Sequence, residues 1–229
     1  MPMISIIVPV LDDAVKLRQL LDDLDAIRSC DAQRIVVDGG SSDGSFDLAQ
    51  QRAHVALRSS PGRARQLAAG TALAQGQWLW MLHADSRVDV RAWDALRGAV
   101  ESDRAAWGRF DVRLTGGHPA FRVIETMMNI RSRWSDICTG DQGIFVRRDL
   151  LDLVDGIPDQ ALMEDIELTK RLRRYAHPVC VDSPLGASSR RWEEQGIVPT
   201  ILLMWRLRLR YFFGESPDLL AQEYYSRGR

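Results

Sequence analysis

The chain has no run of the roughly 20 apolar residues that a membrane-spanning helix needs, so no transmembrane segment is expected. Its start, "MPMISIIVPVLDD", lacks the charged stretch and long apolar run of a secretory leader, and none is expected. Cysteine is scarce. Cys30, Cys138 and Cys180 lie too far apart for a local zinc knuckle, and three thiols fit no paired disulfide framework. Together these absences point to a reducing, cytoplasmic setting. A net charge of −1 argues against a chain whose work is to neutralise a nucleic-acid backbone, so no nucleic-acid partner is expected. Internal repeats, low-complexity tracts and linker-like stretches are missing too. At 229 residues with ordinary apolar and charged fractions, one domain over residues 1–229 is the expectation.

What is present is a repeating pattern. Ile4 to Val10 is a continuous apolar run of strand length, as in a strand buried on both faces. It stops at "LDD". Ala14, Leu17, Leu20, Leu21, Leu24 and Ile27 follow at helical spacing, with Asp12 or Asp13 placed to cap the helix. "RIVVDGGSSDGS" reads as strand, turn and second helix, and Val55 to Arg58 as a third strand. "SSPGRARQLAAGTALAQG" leads into a helix closed by Gly76, and "QWLWMLHADSRVD" holds a fourth strand. Such alternation with short links is the pattern of an α/β fold, a mostly parallel central sheet with flanking helices.

Beyond Val100 the pattern changes. "AWGRFDVRL" alternates like a half-exposed strand, and "GIFVRRDLL" reads as a short strand running into a helix. "ALMEDIELTKRLRRY" reads as an amphipathic helix with Leu162, Ile166 and Leu172 on one stripe. Trp78 and Trp80, two apart on a strand, share one face and read as core or subunit contacts.

In an open parallel sheet, ligands bind beyond the carboxyl ends of the strands. Those ends here carry Asp12, Asp38 and Asp85. Three like charges in one crevice need a cation or the hydroxyls of a ribose between them. A dinucleotide-binding dehydrogenase would place a glycine-rich turn after the first strand, and an NTP hydrolase a phosphate loop. "VLDDA" is neither.

The order "SIIVPVLDD", "IVVDGGSSDGS", "PGRARQLAAG", "WLWMLHADS" and "LMEDIELTKRLRR" resembles the family-two glycosyltransferases over residues 4 to about 192. The resemblance implies a GT-A fold with a Rossmann-like nucleotide-binding half over about residues 1–100 and a mixed acceptor half over about 101–195. It further implies a nucleoside-diphosphate sugar as donor and Mg²⁺ or Mn²⁺ as cofactor. Pro9 and Leu11 would lie under the base, with Asp12 beside them and Asp38 on the base or ribose. Arg63 and Arg65 would contact the nucleotide. Asp85 corresponds to the last acid of the family's DXD motif and would hold the metal against the diphosphate. Glu164-Asp165 matches an acid pair in which the second member is the usual catalytic base, acting by inversion. Arg190, Arg191 and Trp192 resemble the basic-aromatic motif on the diphosphate and acceptor side, and Gln142 would face the acceptor or lie in a simple turn. At a helix start, the dipole favours an ionised Asp165, though acids in first turns are also plain helix stabilisers.

Some positions depart from the pattern. Leu11 stands where the family often has an aromatic, Asp12 and Ala68 where it often has Asn, and His83 where it has the first acid of DXD. A lone histidine is ordinarily a strand-end hydrogen-bonder, and metal ligation by His83 is the alternative. These changes keep two other readings open, a nucleotidyltransferase and a non-catalytic nucleotide-binding protein. A nucleotidyltransferase would carry a glycine-rich basic loop after the first strand, which is missing. From about residue 196 to 229 runs a basic-aromatic segment. Its "MWRLRLRYFF" suits a membrane surface and a lipid-linked acceptor, so peripheral contact with the inner face of a membrane is one expectation. A strand, a docking segment on the catalytic domain or a homodimer contact are the others.

Overall fold

The computed structural model describes residues 4–27, 32–102 and 105–226; Cys30 falls outside them. Seven strands form one sheet in the order β3-β2-β1-β4-β6-β5-β7. The central strand β1 (Ile4–Val10) pairs in parallel with β2 (Ala32–Asp38) and β4 (Trp78–Met81), and β3 (Val55–Arg58) extends β2 in parallel. Direction reverses at β6 (Phe145–Arg147), antiparallel to both β4 and β5 (Trp107–Leu114), while β7 (Val179–Ala187) runs parallel to β5. The sheet is thus mostly parallel with one antiparallel insertion, and its flanking helices complete the expected α/β class.

Successive residues of a strand point to opposite faces, which splits the core into two layers. Ile4, Ile6, Val8 and Val10 face α1 (Ala14–Ala26), α2 (Ser45–Arg52) and α4 (Val90–Val100) through Leu17, Leu21, Leu48 and Leu96. Ile7, Ile35 and Val37 face α3 (Arg63–Leu73), α6 (Arg148–Leu153) and α7 (Glu164–Leu172) through Leu67, Leu151 and Leu168. Trp78 and Trp80 are both buried on the first face, as core contacts. A third cluster joins β5 to α5 (Ala120–Ser135), α8 (Arg190–Gln195) and the start of α9 (Ile197–Phe212). A fourth joins α9, α10 (Pro217–Ser226) and the start of α7.

Several local readings are corrected. The α1 helix is capped from outside: Asp43 accepts from the Ala14 N–H at 2.8 Å, while the Asp13 side chain makes no cap bond. Asp12 takes a left-handed φ of 48° and accepts from the Ser42 N–H at 2.7 Å, clasping the first two turns together. The β5 strand is not half-exposed. It lies between β6 and β7 and is buried on both faces from Trp107 to Phe110, so that only Arg113 toward its end is exposed; even Arg109 is buried, donating to the Phe110 carbonyl at 3.1 Å and the Asn129 carbonyl at 3.2 Å. Leu162, Ile166 and Leu172 do not form one stripe. The α7 helix starts only after Met163, so Leu162 and Ile166 turn toward α9 and Leu172 toward the sheet. The basic-aromatic segment is helical.

Gly70 shows how closely α3 lies on the sheet. A Cβ there would stand 2.5 Å from Ile7 Cγ2 and 3.0 Å from Val37 Cγ2. In an open helix, Gly→Ala gains roughly 1 kcal/mol. Here overpacking opposes that gain, and Gly70→Ala is expected to lose about 1–3 kcal/mol, read as a lower urea midpoint at unchanged slope.

Candidate active site

The carboxyl ends of β1 and β4 open into a cavity of about 600 Å³. Its floor is Pro9 to Leu11, one wall is the first turn of α3 with Arg63 and Arg65, and another is His83 to Asp85. Residues 159–161 and Ala221 and Tyr225 of α10 close the remaining side. Gln66 fixes α3 over the strand ends. Its buried Nε2 donates to the carbonyls of Val10 and Val37, each at 2.8 Å. The free N–H groups of that first turn, with two arginines beside them, make the wall suited to an anion.

Behind this wall lies the acid pair. Arg63 donates to Glu164, and a small void lined by Arg63, Gly140, Glu164 and Asp165 adjoins the main cavity. Burial works against the Arg63 charge, but Glu164 and Asp165 outweigh it and hold the guanidinium above its usual range. Asp165 accepts from the Gly140 N–H at 2.8 Å and from its neighbour Ile166 N–H at 2.7 Å. Burial and then Glu164 raise its pKa, opposing the pull of the helix N-terminus. Gly140 is required where it is: a Cβ would lie 2.1 Å from Arg63 Nη2 and 2.3 Å from His83 Nε2.

The same packing decides what His83 can do. Its Nε2 is buried against Gly140 without a hydrogen-bond partner among the described residues, and its Nδ1 lies 3.8 Å from an Asp141 oxygen. Burial and then Arg63 hold its pKa well below the usual value, so the ring is neutral. Asp85, on the cavity wall, is raised by burial and then by Asp13, while Arg190 opposes the shift. Arg190 reaches Asp13 at 3.2 Å.

Four expected positions lie away from the cavity lining. Asp38 is fully buried and does not line the cavity; its carboxylate accepts from the N–H groups of Gly40 at 3.0 Å and Ser41 at 3.1 Å, with Arg58 3.7 Å away. Gln142 lies in the 3₁₀ turn with its side chain directed inward, not into the cavity. It is buried, donates to Ser132 Oγ at 2.9 Å and accepts from the Thr139 N–H at 3.2 Å. Asp12 is exposed in the turn clasp already described, and Trp192 packs into the α5–α9 cluster away from the cavity. Arg191 lies 3.8 Å from the ring centre of Tyr224 on α10, the helix whose Ala221 and Tyr225 complete the cavity.

Two residues at the site are not marked by any sequence signal. Asp141 precedes Gln142 in the 3₁₀ turn Gly140–Gln142, and the turn sends the amide inward and the acid toward His83. Burial, then Asp85 and Asp165, raise its pKa to about 6. Tyr225 also went unnoticed, since only the packing of α10 brings it to the cavity. Among the described residues no group of three or more side chains is arranged to hold a metal unaided. Asp85 with Asp141 nearby nevertheless suits Mg²⁺ or Mn²⁺, which take one or two carboxylates and complete their shell with substrate phosphates and water. His83 does not suit that role through Nε2, which abuts Gly140.

The raised Asp141 sets a pH dependence. Its proton leaves the unfolded chain near the ordinary value of 3.8 and the folded metal-free protein at about 6, so folding stability falls as pH climbs between them. Asp141→Asn is expected to flatten that fall and to raise the urea midpoint of metal-free protein at pH 7.5, but not at pH 4. Denaturation curves across this range check it.

Comparison with known proteins agrees with this geometry. The sequence profile described as Glycosyl transferase family 2 matches residues 5–157. No curated protein matches the chain. Among solved structures, Staphylococcus aureus TarS 1-349 superposes with a TM-score of 0.66 at 15% identity, covering 82% of this chain and 60% of that fragment. The mannosyltransferase PcManGT from Pyrobaculum calidifontis, in complex with GDP-Man and Mn²⁺, gives 0.62 at 19% identity over 80% of this chain and 55% of that one. Glucosyl-3-phosphoglycerate synthase from Mycobacterium tuberculosis, with Mn²⁺, UDP and glucosyl-3-phosphoglycerate, gives 0.60 at 17% identity over 81% and 71%. The chain spans about three fifths of the TarS structure, and at these identities the likeness is one of fold, the GT-A fold. With two thirds of its length matched by the profile and the cavity at the strand ends where that fold binds its ligands, the chain belongs to glycosyl transferase family 2.

Proposed function

We propose that this glycosyltransferase moves a sugar from a nucleoside diphosphate to an acceptor hydroxyl with inversion, aided by a divalent cation. The observation that carries the reading is the convergence of Pro9, Leu11, Arg63, Arg65 and Asp85 on one cavity, with Glu164-Asp165 directly behind Arg63. A nucleoside diphosphate fits there with its base over Pro9 and Leu11 and its phosphates toward the first turn of α3. The N–H groups of that turn, with Arg65 and Arg190, meet the charge that grows on the departing diphosphate. Asp85, with Asp141 as the nearest further acid, would hold Mg²⁺ or Mn²⁺, and the cation when bound neutralises that same charge.

On the acceptor side Asp165 takes the proton. As the acceptor oxygen bonds to the anomeric carbon, the bond from that carbon to the diphosphate breaks. Asp165 receives the hydroxyl proton, and one displacement inverts the centre. Its raised pKa makes it a stronger base than an ordinary aspartate, and the Gly140 N–H fixes its orientation. Arg63 and Glu164 neutralise one another beside it, so Glu164 is a positioning residue.

Calorimetry with a panel of nucleoside diphosphates, with and without Mn²⁺, tests the donor half. One nucleotide is expected to bind in a Mn²⁺-dependent way, and Asp85→Ala to remove that dependence. Binding of none, with or without metal, would overturn the reading in favour of a non-catalytic protein. Asp165→Asn is expected to lower turnover by about 10²- to 10⁴-fold, the usual worth of a general base, while donor affinity stays within a few-fold.

A further inference from the structure

The two longest helices each show solvent an unbroken apolar stripe. On α5 it is Val123, Met127, Ile130 and Trp134, spaced by four, three and four residues, and Trp134 is 90% exposed. On α9 it is Val198, Leu202, Trp205, Leu209 and Phe212 at the same spacing, with Phe213 exposed beside them. At 3.6 residues per turn each set falls on one narrow face. Scattered exposed apolar residues are ordinary on a protein surface, but aligned stripes on neighbouring helices are not. The helices are neighbours because their inner sides share one cluster, in which Ile124 and Met128 of α5 meet Ile197 and Ile201 of α9 around Trp192.

Charge selects between the possible occupants. The α9 helix contains no acidic residue, and the one acid of α5, Glu125, is buried and accepts from the Leu114 N–H. Every exposed charge on the two helices is therefore an arginine. Arg122 pairs with Glu125, Arg206 and Arg210 share Glu223, Arg210 also meets Glu215, and Arg133 meets Asp111 and Asp182, which leaves a modest positive surplus beside a large apolar contribution. Tryptophan and phenylalanine on an apolar face with arginine at its margins suit a headgroup boundary with anionic lipids. Among the described residues no helix is long and apolar enough to cross a membrane, so the contact would be peripheral. A second copy of the chain would instead bring arginine against arginine.

We infer that the α5 and α9 stripes together form a docking face for an anionic lipid bilayer. Its geometry also reaches the active site, because the buried side of α9 packs through Leu203 and Leu207 against Met163, the residue that opens the helix carrying Glu164 and Asp165. Docking stands independently of the proposed reaction. That the acceptor is itself carried by a lipid rests in addition on that reaction.

Flotation of the full chain with vesicles of phosphatidylcholine alone and of phosphatidylcholine with phosphatidylglycerol tests the inference, since it needs neither donor nor metal. Binding is expected, stronger on the anionic vesicles, with a blue shift of tryptophan emission. Trp134→Ser with Met127→Ser on α5, and Trp205→Ser with Leu209→Ser on α9, are each expected to weaken it at least about fivefold. Circular dichroism and the calorimetric nucleotide titration serve as folding controls. No wild-type binding to either vesicle overturns the inference. So does a soluble dimer that the same substitutions dissociate without any vesicle binding, which would make the face a contact between copies.

Discussion

The half-buried guanidinium of Arg63 is the interaction on which the rest of the site depends. It lies at the first position of α3, between the cavity on one side and Glu164 on the other. Without it, the buried carboxylate of Glu164 would stand unpaired beside Asp165 and Asp141, and a buried charge stripped of its partner costs several kcal/mol. Its position in turn constrains its neighbours. Gly140 can carry no side chain because Arg63 and His83 fill that space, and the Gly140 N–H is what holds Asp165. One guanidinium thus joins the cavity wall to the acid pair.

The turn network at the sheet edge is a second, independent constraint. Asp12, Asp38 and Asp43 spend their oxygens on backbone N–H groups of the first two turns rather than on a ligand. That leaves the floor of the cavity to Pro9 and Leu11 and the charge at its wall to Asp85. Acids clustered at the ends of parallel strands therefore divide into those that shape the edge and those that face the cavity, and residue type alone does not separate them.

This division explains what the sequence made legible. The four strand-helix alternations up to α4 were plain because each strand is buried on both faces and each helix carries one apolar stripe. Asp85, Arg63 and the Glu164-Asp165 pair stood at motif positions whose backbone setting is local, and the structure gathers them at one edge. What depended on long-range packing was hidden. Gln142 and Asp141 are adjacent in a 3₁₀ turn, and only the position of Ser132 on α5 decides which of them turns inward. Arg109 looked like the exposed member of an alternating strand until β6 and β7 covered both edges. The helicity of "MWRLRLRYFF" was masked by its alternating letters, which fit a strand as well as a two-faced helix whose inner side is set by α7 and α10.

The antiparallel β6 places the Gly140–Gln142 turn at the same edge as the ends of β1 and β4, because a reversed strand begins where its neighbours finish. Active-site partners accordingly come from far apart in the chain: 101 residues separate Arg63 from Glu164, and 177 separate Asp13 from Arg190. Contacts of such range form late and slowly, since the entropy of closing long loops precedes any reward. In a chain made from its N-terminus, the β1–β4 layer and the floor of the cavity emerge well before Glu164 and Asp165, and Tyr225, which closes the cavity, emerges later still. The site therefore exists only once nearly the whole chain has folded together.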